Sequence, residues 1–168
     1  MSSTDVTAQR EAGSRTWWVR PGLDIAGGRL RIAGRDAEEL ARQHGTPLYV
    51  YDIDIVGSNA RALQSAFARV RLKGRVRFAL KALREPGVLR FLRSLGAPGA
   101  AESVGIDACS PGEVRYAMEH GWEPAEISFT GTNVSERDLD ALFSQPVLIN
   151  VDLLSQLDRF GRRARGSS

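Results

Sequence analysis

Four polar side chains stand at or near the ends of short apolar runs that the sequence predicts to be β-strands. Lys81 closes the first of these runs, and Asp107 lies near the end of the second. Thr130 and Asn150 occupy the matching places in the two later runs. Because the C-terminal ends of parallel strands meet at one edge of a sheet or barrel, these side chains are predicted to line one cavity.

Lys81 has the most distinctive chemistry of the four. A lysine at the inner end of a buried strand is costly to desolvate unless it is paired, neutral or used covalently. Desolvation favours the neutral amine, which condenses with an aldehyde to form a Schiff base. Asp107, on the same side of the next strand, would balance positive charge there. Two structural alternatives stay open: Lys81 and Asp107 form an ordinary ion pair, or Lys81 simply reaches solvent.

Strands and helices alternate along the part of the chain that holds these residues. Strands are predicted over residues 75–81, 105–109, 126–131 and 147–151, and helices over 55–70, 87–96, 111–121, 135–144 and from 153 onward. Ser110 and Ser135 are predicted helix caps. Four strands, each followed by a helix, predict a parallel sheet, either doubly wound or closed into a barrel.

The alternation of side chains within the strands favours the barrel. In the first strand, Val76, Phe78 and Leu80 share one face, while Ala79 and Lys81 share the other. The same split recurs in the three later strands. One face would pack against helices and the other would form a tight, functional interior.

The preceding residues form a different kind of segment. Residues 1–15 are a polar leader that we predict to be disordered. Residues 16–53 are predicted to form a β/α segment, with a strand, a turn at Gly27 and Gly28, a second strand and a short helix capped by Asp36.

Composition narrows the class of protein. The chain has 168 residues, of which 42% are hydrophobic and 26% charged, as in an ordinary soluble domain. It has no apolar run of about 18 residues, and its leader lacks the apolar centre of a secretory signal, so a cytoplasmic location without membrane contact is expected. The single Cys109 and the separated His44 and His120 predict neither a disulfide nor a metal site.

Charge gives little support to a nucleic-acid partner. The net charge is +3, from 23 basic and 20 acidic residues. Only the tail from Arg159 to Arg165 is densely basic, and a solvated helix face is the favoured interpretation over a binding patch. No nucleic-acid partner is therefore predicted.

A series of motifs resembles one known family over roughly residues 30 to 160, a span that holds most of the predicted elements. The motifs are GTPLYVYD at 45–52, FALKA at 78–82, GIDACSPGE at 105–113, ISFTGTN at 127–133 and NVD at 150–152. They are similar in order and spacing to those of the barrel-type (fold type III) pyridoxal-phosphate-dependent decarboxylases. That family includes diaminopimelate decarboxylase, ornithine decarboxylase and, more distantly, alanine racemase; its members have GTPLYVYD-like residues as a strand leading into the barrel.

The resemblance implies a cofactor and a set of site residues. Lys81 would bind pyridoxal 5'-phosphate covalently, and Asp107 would lie near the cofactor. Thr130 and Asn133 would lie at the mouth of the barrel, near cofactor or substrate. Cys109 would be a small packing residue rather than a nucleophile.

The resemblance also implies the fold class. The chain would be α/β: the N-terminal half of an alanine racemase-like (β/α)8 barrel, preceded by short β-segments of a second domain. Residues 54–168 would be a partial barrel, truncated after about four strands. The family's glycine-rich phosphate loop and the acidic partner of the pyridine nitrogen have no counterpart here, so this fragment alone is expected to be inactive.

The implied activity is decarboxylation of an amino acid, first of all meso-diaminopimelate to L-lysine, by a full-length homodimer. Another decarboxylase or racemase of the same fold remains an alternative, as does a non-catalytic, cofactor-binding or regulatory relative, or an interaction module that uses the basic tail. One departure bears on the substrate: the family commonly has asparagine soon after the lysine, whereas this chain continues from Lys81 with Ala, Leu and Arg84.

Overall fold

The structure is a computed structural model that describes residues 19–97, 100 and 103–166. The chain divides into two units, Met1–Ile55 and Val56–Ser168. The predicted leader, residues 1–15, lies outside the described residues. Within the described part of the chain, no helix has both the length and the apolar character that crossing a bilayer requires.

The first unit contains a three-stranded antiparallel sheet. β1 (Leu23–Ala26) pairs with β2 (Arg29–Ile32), and β2 pairs with β3 (Arg35–Asp36). Gly27 and Gly28 connect β1 to β2 with φ of 59° and 75°. This left-handed backbone conformation carries little penalty for glycine, and it produces the predicted strand, turn and strand.

A short helix, α1 (Ala37–His44), follows β3 directly. Asp36 caps it as predicted, because its side chain accepts hydrogen bonds from the first free N–H groups of the helix. The next residues, 45–52, were predicted to form a strand that leads into the barrel. That prediction is wrong for this structure: residues 45–52 pair with no strand among the described residues, so their backbone groups form no ladder.

The second unit is built on a four-stranded parallel sheet with helices between the strands. Its strands, in spatial order, are β4 (Arg77–Ala79), β5 (Gly105–Ala108), β6 (Ile127–Thr130) and β7 (Leu148–Asn150). The helices are α2 (Ile53–Arg69), which begins at the end of the first unit, α3 (Pro86–Ser94), α4 (Pro111–Glu119), α5 (Glu136–Phe143) and α6 (Leu154–Gly166). The predicted alternation and parallel pairing are confirmed.

The first barrel strand ends earlier than the sequence predicts. β4 stops at Ala79, and the N–H of Ala82 donates to the carbonyl of Ala79 at 3.0 Å, which closes a turn. Leu80 still donates its N–H to the carbonyl of Asp107 at 3.0 Å. Lys81 therefore lies in the turn that follows β4 rather than on the strand.

The sheet has one apolar face, as the alternation predicts. The register places Phe78 beside Ile106, Ile106 beside Ile127, and Ala108 beside Phe129. Four of these five side chains are buried, and Phe78 packs against the same core. Burial of this face against the helices supplies the main driving force for folding the unit.

The starts of α4 and α5 explain why the helices begin where they do. Ser110 accepts a hydrogen bond from the N–H of Glu113 at 3.2 Å, and Pro111 occupies the first turn. Ser135 accepts from the N–H of Asp138 at 3.1 Å. Both predicted caps are confirmed, and each satisfies an N–H group that the helix cannot pair internally.

We predict that Gly105→Ala destabilises the second unit by about 1–3 kcal/mol, the usual cost of overpacking. A Cβ at residue 105 would lie 2.6 Å from the carbonyl oxygen of Glu126, which belongs to the backbone and cannot move aside cheaply. Urea unfolding followed by circular dichroism measures the effect. Gly87→Ala is the control, because its Cβ would meet Glu85 Oε1 at 3.6 Å. Equal unfolding midpoints for the two variants would contradict the prediction.

Candidate functional site

The second face of the sheet carries the polar residues that the sequence singled out. The register places Asp107 beside Ser128, and Thr130 beside Asn150. All four lie on the face opposite the apolar core, toward the C-terminal ends of β5, β6 and β7. The predicted convergence of Asp107, Thr130 and Asn150 is therefore confirmed.

These side chains form one continuous hydrogen-bond chain across three strands. Asp107 Oδ1 accepts from Ser128 Oγ at 2.9 Å and from Thr130 Oγ1 at 3.0 Å. Thr130 Oγ1 in turn accepts from Asn150 Nδ2 at 2.8 Å. Two hydroxyl donors on one carboxylate oxygen hold the carboxylate in one orientation.

Ser128 is the member of this network that the prediction of the site left out. Its alternation placed it on the correct face, but it lies one layer deeper than Thr130 and is buried. The signal that could have found it is the pairing of β6 with β5, which brings Ser128 beside Asp107. That register cannot be read from either strand alone.

Lys81 follows the C-terminal end of β4, the strand next to the one that carries Asp107. Its environment differs from the prediction. Its side chain is exposed rather than buried. It forms no ion pair with any residue that the structure describes, so the proposed Lys81–Asp107 pair is wrong. The physical reason is that Lys81 lies in the turn beyond the last residue of β4, while the Asp107 carboxylate accepts from Ser128 and Thr130 instead. The open alternative, that Lys81 reaches solvent, is the one observed.

The backbone around Lys81 is nevertheless well anchored. Leu80 is fully buried in the core, and Leu83 packs against that core from the other side of the turn. Tyr116 Oη donates to the carbonyl of Arg84 at 2.8 Å. The Lys81 amine is thus available for chemistry, while the residues on both sides of Lys81 are held by core packing and by the Tyr116 hydrogen bond.

Asn133 and Cys109 take separate places near the strand ends. Asn133 is exposed in the loop after β6, with φ of 52°, and is not part of the hydrogen-bond chain described above. Cys109 is a free, half-buried thiol, and its N–H donates to Glu113 Oε2 at 2.7 Å. A role for Asn133 toward cofactor or substrate remains a prediction.

The basic tail is paired within the second unit. Arg159 reaches Glu136 at 2.5 Å and Arg163 reaches Asp140 at 2.7 Å. The hydrogen bond from Arg163 also holds the pKa of the Glu136 carboxyl below its usual range. The Arg159 and Arg163 side chains are only 23% and 19% exposed and form an ion-paired contact between α5 and α6. Arg162 is 62% exposed and Arg165 is exposed, so the expected solvated face is corrected only for Arg159 and Arg163.

Metal ligands are not grouped in the described part of the chain. Among its His, Cys, Asp and Glu residues, no cluster of three or more is placed to hold an ion. The hydrogen-bonded network on the polar face consists of one carboxylate, two hydroxyls and one amide.

Fold and site together define the class of protein. Four parallel strands in sequential order, with helices on one face and polar strand ends on the other, form the lysine-bearing N-terminal half of a (β/α)8 barrel of the alanine racemase type. Residues 54–168 match the family described as pyridoxal-dependent decarboxylase, pyridoxal binding domain. The chain belongs to this family of pyridoxal-dependent decarboxylases.

Individual relatives agree with that assignment. A diaminopimelate decarboxylase from Methanothermobacter thermautotrophicus is 41% identical over 137 residues, which are 82% of this chain and 30% of the relative. The crystal structure of diaminopimelate decarboxylase from M. jannaschii superposes with a TM-score of 0.71 at 28% identity, over 87% of this chain and 33% of the other. The chain thus spans about a third of the length of the proteins that it matches.

A third similarity is to a decarboxylase that is named for other substrates. The structure of lysine/ornithine decarboxylase from Vibrio vulnificus, complexed with putrescine, superposes with a TM-score of 0.60 at 27% identity. It covers 73% of this chain, and this chain covers 31% of it. The shared portion is therefore common to decarboxylases that act on different amino acids.

We predict that the two hydroxyl donors to Asp107 contribute unequally to stability. Ser128→Ala removes a buried hydrogen bond and should lower the free energy of unfolding by about 0.5–1.5 kcal/mol. Thr130→Val removes an exposed one, where water replaces the donor, and should cost less than about 0.5 kcal/mol. Urea unfolding of both variants checks the difference. A larger loss for Thr130→Val would contradict the burial argument.

Proposed function

We propose that the whole protein is a pyridoxal-phosphate-dependent amino-acid decarboxylase and that Lys81 is the residue that attaches the cofactor. The observation that carries the proposal is an exposed lysine amine, anchored on both sides, at the C-terminal end of the first strand of a family-matched barrel. That end is where inward residues of successive strands meet in barrel enzymes.

The residues present fit this cofactor. An amine without an ion-pair partner in the described residues can condense with an aldehyde, and the neighbouring strands offer hydroxyl, amide and carboxylate groups to a polar ring. Lys81, Asp107, Thr130 and Asn133 are the residues that we propose to hold the cofactor. When bound, pyridoxal phosphate supplies an electron sink for the pair released as carbon dioxide leaves.

The protein's own groups then have distinct tasks. Asp107, held by Ser128 and Thr130, presents a fixed negative charge near positive charge at the lysine end of the site. Lys81 would supply an amine that can carry a proton to or from a reacting carbon. Asn150 orients the Thr130 hydroxyl, so that Thr130 directs its proton to Asp107.

For the substrate we propose meso-diaminopimelate, with L-lysine as the product. The support is that the relatives of highest identity reported above are diaminopimelate decarboxylases. Ornithine or lysine decarboxylation is the second candidate, favoured by the similarity to the Vibrio vulnificus enzyme. Carbon dioxide release from meso-diaminopimelate, ornithine and lysine, measured side by side, separates the two. No release from any of them, with cofactor bound, would favour a non-catalytic relative.

We also propose that these residues are the N-terminal part of a longer, dimeric protein. The support for the length is that the matched relatives are about three times as long. On the polar face of the parallel sheet, the Leu148 residue is 54% exposed. A closed barrel would cover it. The 168 residues alone are accordingly proposed to lack decarboxylase activity.

We predict that borohydride reduction with pyridoxal phosphate labels Lys81 in the whole protein. The chain offers an internal reference, because Lys73 is also exposed and these are its two lysines. Lys73 precedes β4, at the opposite end of the strand from the polar network. Peptide mass mapping should find the label at Lys81 in large excess over Lys73. Equal labelling, or label on Lys73 alone, would falsify the assignment.

We predict that Asp107→Asn lowers turnover far more than it lowers stability. The amide keeps the size of the side chain and can still accept from Ser128 and Thr130, but it removes the negative charge. We expect kcat to fall by about 10²-fold or more, the scale of losing one preorganised electrostatic group. Decarboxylation rates and thermal unfolding are compared on the same samples. The idea fails if unfolding shifts strongly while the folded fraction turns over normally.

A further inference from the structure

Glu113 is a buried carboxylate whose two oxygens join two separate loops. Its side chain is 5% exposed. Glu113 Oε1 accepts from Arg84 Nη2 at 2.7 Å, and Oε2 accepts from the N–H of Cys109 at 2.7 Å. A buried carboxylate is costly unless both oxygens are satisfied, so this arrangement strongly favours one position for each partner.

The two loops are those that follow the first two barrel strands. Arg84 lies three residues after Lys81, in the connection from β4 to α3. Cys109 lies two residues after Asp107, in the connection from β5 to α4. Glu113 therefore joins the loop that follows Lys81 to the loop that follows Asp107. The strand ends themselves are joined by the backbone, where the Leu80 N–H donates to the Asp107 carbonyl at 3.0 Å.

A second contact from the same helix acts on the same loop. Tyr116, one turn after Glu113 on α4, donates from its hydroxyl to the carbonyl of Arg84 at 2.8 Å. Residues three apart on a helix face the same side, so α4 holds both the side chain and the backbone of Arg84.

The start of α4 has stabilising groups besides the Glu113 carboxylate. Ser110 already caps the helix through its hydroxyl, and Pro111 fixes the first turn. The core below is filled by Leu80, Val114 and Ala117, which are buried without any polar contact from Glu113. The polar contacts of Glu113 thus join the two loops, and the contact to the Cys109 N–H lies beside the start of α4.

We propose that Arg84 and Glu113 are positioning residues for Lys81, acting through the loop rather than touching the substrate. The inference rests on the proposed function, in which Lys81 is the attachment residue. Lys81 is exposed and makes no ion pair with the described residues, so the placement of its amine depends on its backbone. Arg84 also stands in the stretch where this chain departs from the asparagine that the family commonly has soon after its lysine.

The test compares three substitutions in the whole protein. Arg84→Met removes the cation but keeps an apolar stem of similar length, and Arg84→Lys keeps a cation that can reach Glu113. Arg90→Met is the matched control, because Arg90 is exposed on α3 and has no ion pair with the described residues. For each variant, kcat, KM, thermal unfolding and the rate of borohydride-fixed labelling at Lys81 relative to Lys73 are measured.

We expect Arg84→Met to lower kcat by about 10- to 100-fold and to slow labelling at Lys81, since misplacement by about 1 Å reduces rates on this scale. KM should change less than kcat, Arg84→Lys should recover most of the loss, and Arg90→Met should match the unsubstituted protein. Equal kcat and labelling in all three variants overturns the proposal. So does a collapse in thermal stability with normal turnover by the folded fraction.

The same measurements separate this inference from the function on which it rests. If the unsubstituted protein is not labelled preferentially at Lys81, the proposed attachment residue is wrong, and the positioning role falls with it. If Lys81 is labelled preferentially but labelling and kcat do not respond to Arg84→Met, only the positioning role is overturned.

Discussion

The in-register parallel pairing of β4 through β7 is the constraint on which the rest of the second unit depends. Each ladder places residues of the same sheet face beside one another. Every strand therefore contributes one side chain to the helix-covered face and the next to the polar face. A slip of one residue in any strand would exchange the two faces. The close approach of Gly105 to the Glu126 carbonyl shows how tightly the strands fit together at their N-terminal ends.

The polar face follows from this register and from the satisfaction of hydrogen bonds. Asp107 receives hydroxyl donors from the neighbouring strand, and the chain of donors extends to β7 through Thr130. Such a network orients the carboxylate through hydrogen bonds from neutral hydroxyl groups. It leaves the lysine amine uncommitted, which is the condition that covalent attachment of an aldehyde requires.

Glu113 connects the two loops that follow β4 and β5, which carry or adjoin the site residues. It belongs to a helix, yet its carboxylate ties together the ends of two strands. The motif from Gly105 to Glu113 therefore has a physical reason for its length: it runs through Asp107, the Ser110 cap and the buried glutamate in one strand-to-helix connection. Its use of both carboxylate oxygens explains why a charged residue stays buried at this position.

Much of the architecture follows from the sequence by itself. Local signals predict the alternation of strands and helices, the caps at Ser110 and Ser135, and the two faces of each strand, because periodicity and capping act within a few residues. The motif order also leads to the correct family. The ends of the elements are less well determined, since β4 stops at Ala79 in a turn where the predicted strand continues to Lys81.

Only the tertiary structure decided how the site residues are engaged. The exposure of Lys81 depends on where β4 ends. The other features are contacts between residues at least four positions apart, and most join residues more than twenty apart: Ser128 with Asp107, Glu113 with its two partners, and the ion pairs of the arginine tail. Such contacts depend on strand register and helix packing, and neither is encoded in a single local segment. The sequence therefore determined which residues could react, and the packing of distant elements determined which of them are held, buried or free.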